Sequence, residues 1–190
     1  MRTLAKRPAV VARHWPRAIA CAFWLALTIA SSLAAAFPQE YQVKAIFLFN
    51  FTQFVDWPLA SDAAAPIAIC ILGEDPFGNY LDEALRGERV DNRALVVRRH
   101  RRTEDLDACQ VLFISQSESG RLDAALASVK NTAVLTVSDA RDFTERGGMV
   151  AFVAEDNHVR LRINVAAARA AGITISSKLL RVAEIIGESR

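Results

Sequence analysis

The sequence predicts an α/β domain built on a mostly parallel sheet, with helices on both faces and an antiparallel hairpin at one edge. Three observations lead to this prediction. Short apolar runs typical of buried strands alternate with helical segments along the chain. These runs are apolar throughout, as are strands covered on both faces. Two alternating runs, 150–154 and 159–163, flank a polar connection and predict the hairpin.

The first predicted element of the domain is a helix over residues 39–55. Its apolar residues wrap most of the cylinder, which indicates a helix that is largely buried or covered by a partner. The pair Trp57 and Pro58 ends this helix, because the residue before a proline avoids the helical conformation. The apolar run at 67–72 then predicts a buried strand.

The remaining elements continue to alternate between helix and strand. Ser115 and Glu118 have the spacing of a capping box, which places the start of a helix after the third strand. Gly172 is placed to end the penultimate helix. In chain order, these elements are a short helix around 80–85, strands over 94–97 and 111–114, a helix continuing to Val129, a strand over 133–137, the hairpin, a helix over 166–171 and a last amphipathic helix over 179–186.

Residues 1–36 have the order of a secretory signal peptide. A leader with five basic and no acidic residues is followed by an apolar stretch, 18–30, and then by small residues ending at Ala36. A membrane anchor is the competing interpretation, but the apolar stretch is shorter than the about 20 residues that a spanning helix needs. The sequence therefore predicts cleavage after Ala36 and a single exported domain, residues 37–190.

Removal of this leader changes the charge of the protein. The whole chain has 23 Lys and Arg against 21 Asp and Glu, and without the five basic residues of the leader the domain has 18 against 21, a net charge of −3. This balance removes the main electrostatic argument for a nucleic-acid partner. Taking 36 residues from 190 leaves 154, which is enough for one domain with its own core.

Two cysteines, Cys70 and Cys109, remain in the predicted domain. In an oxidising compartment they are candidates for a disulfide, and the alternative is two buried thiols that pack as small apolar residues. Export favours the disulfide, but the sequence alone does not show that the two sulfurs meet.

The domain offers little of what catalysis or metal binding requires. Its two histidines, His100 and His158, form no pair with each other or with a cysteine at ligand spacing, so no metal site is predicted. Ser115 is not flanked by the glycines of the G-x-S-x-G turn that carries the nucleophile of many hydrolases. A role as a helix cap explains this serine instead. We predict no catalytic residue and no cofactor. An enzyme would have to use carboxylates such as Asp75 or Glu155, which have no visible pairing.

Two segments are candidates for a binding surface. Gly73, Asp75 and Phe77 follow the first buried strand, at the end where open α/β sheets bind ligands, and the alternative is a plain connecting loop. The second segment is a dense basic cluster at 98–102. It suits an acidic partner, and the alternative is a solvated strand end balanced by the acidic residues of 104–107. Its candidate contact residues are Arg98, Arg99 and Arg101.

An ordered set of segments covers nearly the whole domain and forms a family pattern. The segments are 43–51, 54–58, 69–73, 75–78, 109–115, 134–138, 143–149, 163–164 and 172–180. Together they resemble the YfiR-like family of exported proteins. Two positions depart from the pattern: Phe49 stands where tyrosine is expected, and Gln110 stands where histidine is frequent.

This resemblance implies a periplasmic regulator with no catalytic activity. YfiR-like proteins restrain a membrane-bound diguanylate cyclase by contacting its periplasmic sensor region, and an outer-membrane lipoprotein can relieve that restraint. The implied partner is therefore the periplasmic domain of a diguanylate cyclase or sensor kinase, with such a lipoprotein as a second partner, and a homodimer is left open. Cys70 and Cys109 match a cysteine pair that is linked in the family to redox state and folding.

The candidate partner or ligand surface also takes in residues from the matched segments near the carboxyl end. The whole set is Gly73, Asp75, Phe77, Arg98, Arg99, Arg101, Asn164 and Lys178. The rival interpretation is a periplasmic receptor for a small ligand, which would use the crevice near residues 73–77 and the segment around Asn164.

Overall fold

The computed structural model describes residues 36–58 and 65–187, which contain five helices and ten strands. The helices are α1 (Ala36–Phe54), α2 (Asn79–Leu85), α3 (Leu122–Ser128), α4 (Val165–Ala170) and α5 (Ser177–Leu180). The strands are β1 (Val55–Asp56), β2 (Ile67–Leu72), β3 (Arg89–Val90), β4 (Arg93–His100), β5 (Val111–Ile114), β6 (Leu135–Ser138), β7 (Val150–Glu155), β8 (His158–Asn164), β9 (Thr174–Ile175) and β10 (Ala183–Ile186). The predicted signal peptide, as far as residue 35, lies outside the described residues.

Eight strands form one sheet in the order β10-β8-β7-β6-β5-β2-β4-β3, and β1 pairs with β9 in a separate two-stranded sheet. The central strands β4, β2, β5, β6 and β7 all run parallel. The hairpin formed by β7 and β8 is antiparallel, and β3 pairs antiparallel with β4 at the other end of the sheet. The predicted fold class is confirmed.

The sheet separates two hydrophobic cores. The first core lies under α1, where Phe51 stacks on Phe152 of β7 with ring centroids 6.1 Å apart. The second core lies under α3 and includes Leu122. Successive side chains of a strand point to opposite faces, so β2 supplies both cores and all six of its residues are buried. Ile67, Ile69 and Ile71 face the first core, and Ala68, Cys70 and Leu72 face the second.

The last predicted helix is wrong in its second half. Helix α5 ends at Leu180, and Ala183–Ile186 forms strand β10, which runs parallel to β8. The pairing begins with Ala183 opposite Leu161 and gives this segment backbone hydrogen bonds along an otherwise open strand. Two adjacent isoleucines, Ile185 and Ile186, also favour a strand, because branched side chains lose conformational freedom in a helix.

The helix predicted after the third buried strand is present but divided. Ser115 Oγ accepts a hydrogen bond from Ser117 N at 3.4 Å, as a helix cap does. The chain then makes a 3₁₀ segment, Gln116–Arg121, before α3 begins. The carboxylate of Glu118 lies 2.7 Å from Arg121 within this 3₁₀ segment.

Gly148 packs directly against the ring of Phe143, which is 1% exposed. A Cβ added at Gly148 would lie 2.2 Å from Phe143 Cε1, closer than any tolerated contact. We expect Gly148→Ala to lower the free energy of unfolding by about 1–3 kcal/mol, the usual cost of overpacking a core. Gly120→Ala is the matched control, because a Cβ there meets nothing within 4 Å. Equal midpoints of urea unfolding for the two variants would contradict this packing.

Candidate functional site

A buried ion pair joins α1 to the carboxyl end of β6. Lys44 Nζ lies 2.6 Å from Asp139 Oδ2, and the two side chains are only 2% and 3% exposed. Glu40, one helical turn earlier, also lies 2.6 Å from Lys44 Nζ. Tyr41 donates a hydrogen bond of 3.0 Å to Asp139 Oδ2, and its ring centroid is 4.3 Å from the Lys44 ammonium. One lysine on α1 therefore neutralises a carboxylate that follows a central strand.

The two carboxylate oxygens of Asp139 differ in their bonding. Asp139 Oδ1 is buried and has no hydrogen-bond partner among residues 36–58 and 65–187. Gln116, which follows β5, donates a hydrogen bond from Nε2 to Asp139 O at 3.3 Å. Both residues line a cleft of about 830 Å³. Ligands of open α/β sheets bind at the carboxyl ends of the strands, so this cleft is a candidate ligand site.

Charges of both signs surround this cleft. Arg162 on β8 lies 3.5 Å from Glu145 and 2.9 Å from Glu184. Arg146 lies 2.7 Å from Asp123. The cleft is lined by Arg141, Glu145, Arg146 and Arg162 together with Asp139. Such a wall suits a polar ligand that makes several hydrogen bonds more than an apolar one.

Burial, together with the negative charge of Asp139, raises the pKa of Tyr41 far above its ordinary value. The folded state therefore holds this phenol proton more tightly than the unfolded state does. The resulting stability is complete below the unfolded pKa of about 10 and is lost as the pH rises toward the folded pKa. We expect Tyr41→Phe to flatten the fall in stability above about pH 10, measured as urea midpoints across alkaline pH. Parallel pH profiles for the two proteins would contradict this.

The predicted surface around Gly73 is a structured turn. Gly73 has φ +95°, and a Cβ there would lie 2.4 Å from Ser117 Oγ, so only glycine fits. Asp75 Oδ1 accepts a hydrogen bond of 2.7 Å from Phe77 N. Phe77 itself is 1% exposed and packs edge-on against Phe113 at 4.8 Å. Phe77 therefore belongs to the first core and does not contribute to a contact surface.

The predicted basic cluster contains one structural arginine. Arg99 Nε donates a hydrogen bond of 2.7 Å to Asp75 Oδ2, and the guanidinium also contacts Asp82 of α2. These bonds, chiefly the one to Asp82, raise the pKa of Arg99, and the same bond lowers the pKa of Asp82. Arg99 therefore ties the turn after β2 to α2, although it is exposed, as are Arg98 and Arg101.

Asn164 lies at the opposite end of the sheet from Gly73, because β8 runs antiparallel to the strands between them. Its Oδ1 accepts a hydrogen bond of 2.9 Å from Ala167 N, and its Nδ2 donates one of 3.1 Å to Thr144 O. Asn164 therefore caps α4. The structure does not unite it with the turn at 73–77 in one crevice. Lys178 is exposed on α5.

Lys44 and Asp139 are not among the residues predicted from the sequence. A signal was present, because Lys44 is a charged residue in a helix whose apolar wrapping predicts burial, and a buried ammonium needs an acidic partner. Asp139 follows a buried strand directly, at the sheet edge where functional side chains gather.

Cys70 and Cys109 form a disulfide, with Cα atoms 5.9 Å apart. Both residues are buried, at 0% and 2% exposed. The bond links the middle of β2 to the turn before β5 inside the second core. Of the two states left open by the sequence, the structure shows the disulfide.

Among the helices of residues 36–58 and 65–187, none combines the length and the apolar composition that crossing a membrane requires.

Comparison with known proteins gives one family match. A family model described as YfiR/HmsC-like matches residues 41–184. No curated protein matches the chain. A conserved domain protein from Vibrio cholerae O1 biovar El Tor is 13% identical, with a TM-score of 0.47 over 62% of this chain and 54% of that one. The ABC domain in complex with L-Trp from Streptococcus pneumoniae is also 13% identical, with a TM-score of 0.46 over 63% of this chain and 55% of that one. The chain thus spans about half the length of each, and TM-scores below 0.5 carry no functional inference.

Proposed function

We propose, because the chain belongs to the YfiR/HmsC-like family, that it is a periplasmic regulator of a membrane-bound signalling enzyme and is not itself an enzyme. The enzyme we propose is a diguanylate cyclase, contacted at its periplasmic sensor region. The family match carries this proposal, because residues 41–184 take in most of the domain rather than one motif within it. Export by the signal peptide predicted over residues 1–36 would bring the two proteins into one compartment.

The exposed face of α1 supports a protein partner. Val43 and Ile46 lie one turn apart and are 37% and 53% exposed. Gln39 and Gln53 extend the same face with uncharged side chains and are also exposed. Exposed apolar side chains are typical of the centre of a protein interface, where charged residues are depleted. We therefore place the contact with the sensor region on this face, defined by Gln39, Val43, Ile46 and Gln53.

Regulation would follow from unequal affinity for two states of the enzyme. A regulator shifts a conformational equilibrium only by the ratio of its affinities for the two states. Helix α1 is attached to the sheet through the buried pair of Lys44 and Asp139, so a partner bound to α1 would be held against the whole domain. We propose that the chain binds the inactive state of the sensor region more tightly.

Ile46→Asp is expected to weaken binding to the isolated periplasmic domain of a membrane diguanylate cyclase from the native host by at least about tenfold. The reason is that it places a charge at the apolar centre of the contact. Titration calorimetry measures this affinity. Ala124→Asp adds the same charge at an exposed position of α3, on the other face of the sheet, and is expected to bind like the unmodified chain. Equal weakening by both variants would show that α1 is not the contact. A chain that binds none of the host's periplasmic sensor domains would contradict the proposed function.

The cleft favours a second candidate function, that of a receptor for a small polar ligand. Its volume of about 830 Å³ is within the usual range for small-molecule sites, and the buried Asp139 Oδ1 would accept a hydrogen bond from the ligand. Thermal unfolding separates the two functions. Stabilisation by a small molecule that is lost in Asp139→Asn supports the receptor, whereas stabilisation by a sensor domain alone supports the regulator.

A further inference from the structure

His100 lies beside the disulfide of the second core. It is the last residue of β4 and pairs with Leu72 of β2, two residues beyond Cys70. One nitrogen of its imidazole and the sulfurs of Cys70 and Cys109 all lie within 4.8 Å of one another. The spacing of these residues along the chain predicts no metal site, but the fold brings them together from three separate segments.

The imidazole of His100 has an unused polar atom in this place. Its Nε2 is buried and has no hydrogen-bond partner in the part of the chain that the structure describes. Buried polar atoms are nearly always bonded, so an orphaned one calls for an explanation. The backbone of His100 is fixed, because its carbonyl oxygen accepts a hydrogen bond of 2.9 Å from Gly73 N. The sheet therefore fixes the backbone from which the ring reaches the two sulfurs.

We propose that reduction of the disulfide turns this cluster into a site for one Cu(I) ion, held by the thiolates of Cys70 and Cys109 and the imidazole of His100. Reduction by a dithiol breaks the bond between the two sulfurs and gives them two electrons and two protons, while the dithiol becomes a disulfide. Binding of Cu(I) then releases the two thiol protons to water.

The chemistry of the ligands selects this ion. Thiolates are soft ligands that favour Cu(I) and Zn²⁺ over hard cations. A closed structural site for Zn²⁺ takes four protein ligands, and the cluster within the described residues offers three, which is the number that trigonal Cu(I) takes. Two ligands of one metal lie at most about 4.6 Å apart, twice a metal–sulfur bond. With the Cα atoms 5.9 Å apart, rotation of the side chains alone opens the sulfurs to such a separation.

Competition with a chromogenic Cu(I) chelator under anaerobic conditions tests this site. The reduced chain is expected to take one Cu(I) from the chelator, and the oxidised chain none. His100→Asn is expected to bind Cu(I) more weakly by on the order of tenfold or more, since even supporting residues of metal sites change affinity by that factor. His158→Asn is the matched control, because His158 is exposed at the start of β8, and it is expected to bind like the unmodified chain.

Three results would overturn the site. They are a reduced chain that competes no better than the oxidised one, equal binding by His100→Asn, and displacement of the Cu(I) by an equal concentration of Zn²⁺. If the reduced chain unfolds, the site is tested by following its circular dichroism spectrum as Cu(I) is added. Recovery of the native spectrum on adding Cu(I) supports the site, and a chain that stays unfolded with Cu(I) contradicts it.

Discussion

Replacing Lys44 with methionine is expected to lower the free energy of unfolding by about 3–5 kcal/mol, the cost of removing one partner of a buried ion pair. Methionine keeps the apolar length of the side chain and removes the charge. Asp139, whose side chain is 3% exposed, would then be a buried carboxylate that has lost the cation beside it. Urea unfolding followed by circular dichroism measures the loss.

Two further variants show that the loss comes from the charge. Adding Asp139→Leu to Lys44→Met is expected to recover much of the stability, because it removes the orphaned carboxylate. Arg99→Met is the matched control, since it removes a cation that is 41% exposed and contacts Asp75 and Asp82. Exposed pairs contribute at most about 1 kcal/mol, so this variant is expected to change stability little. Equal losses for Lys44→Met and Arg99→Met would contradict a buried pair.

Loss of the disulfide is expected to lower the free energy of unfolding by about 4 kcal/mol. The bond joins residues separated by 39 positions, and a loop of that length restricts the unfolded chain by about this amount in the chain-entropy model. The double variant Cys70→Ala, Cys109→Ala keeps the cysteine positions small and apolar. Its unfolding midpoint is expected to match that of the reduced chain, apart from a small effect of losing the two sulfur atoms from the core.

Reductant supplies the control for this comparison. The unmodified chain is expected to shift to a lower urea midpoint when a dithiol is present, and the double variant is expected to be indifferent to the dithiol. An unmodified chain whose midpoint does not move after complete reduction, as measured by thiol titration, would show that the bond does not stabilise the fold.

The parts of the fold that could be predicted are those with a dense local pattern. Strands β2 and β5 have the predicted bounds, because each is a continuous apolar run buried on both faces. The hairpin follows from alternation on both sides of a polar turn, which at Asp156 and Asn157 has positive φ angles. The family resemblance carried by the ordered segments is confirmed by the match over residues 41–184.

The elements that were missed depend on distant partners. Segment 183–186 has apolar residues compatible with either a helix or a strand. Backbone pairing with the open edge of β8 favours the strand. Strand β3, with two residues, has no periodic pattern to detect and exists through its pairing with β4.

The same limit applies to the candidate site. Lys44 and Asp139 are 95 positions apart, and nothing local indicates that they meet. The position of Phe77 just after a strand predicts a surface residue, but its ring packs between Tyr41 and Phe113. Arg99 belongs to a basic cluster in the sequence, and its structural role comes from Asp75, in the turn after β2, and from Asp82 of α2.

The cellular concentration of cyclic di-GMP tests the proposed restraint of a diguanylate cyclase most directly. Deleting the gene for this chain from its native host is expected to raise cyclic di-GMP, and restoring either the unmodified chain or Ala124→Asp is expected to lower it again. Ile46→Asp, exported to the same level, is expected to leave it high. A deletion strain whose cyclic di-GMP equals that of the parent strain would contradict the proposal.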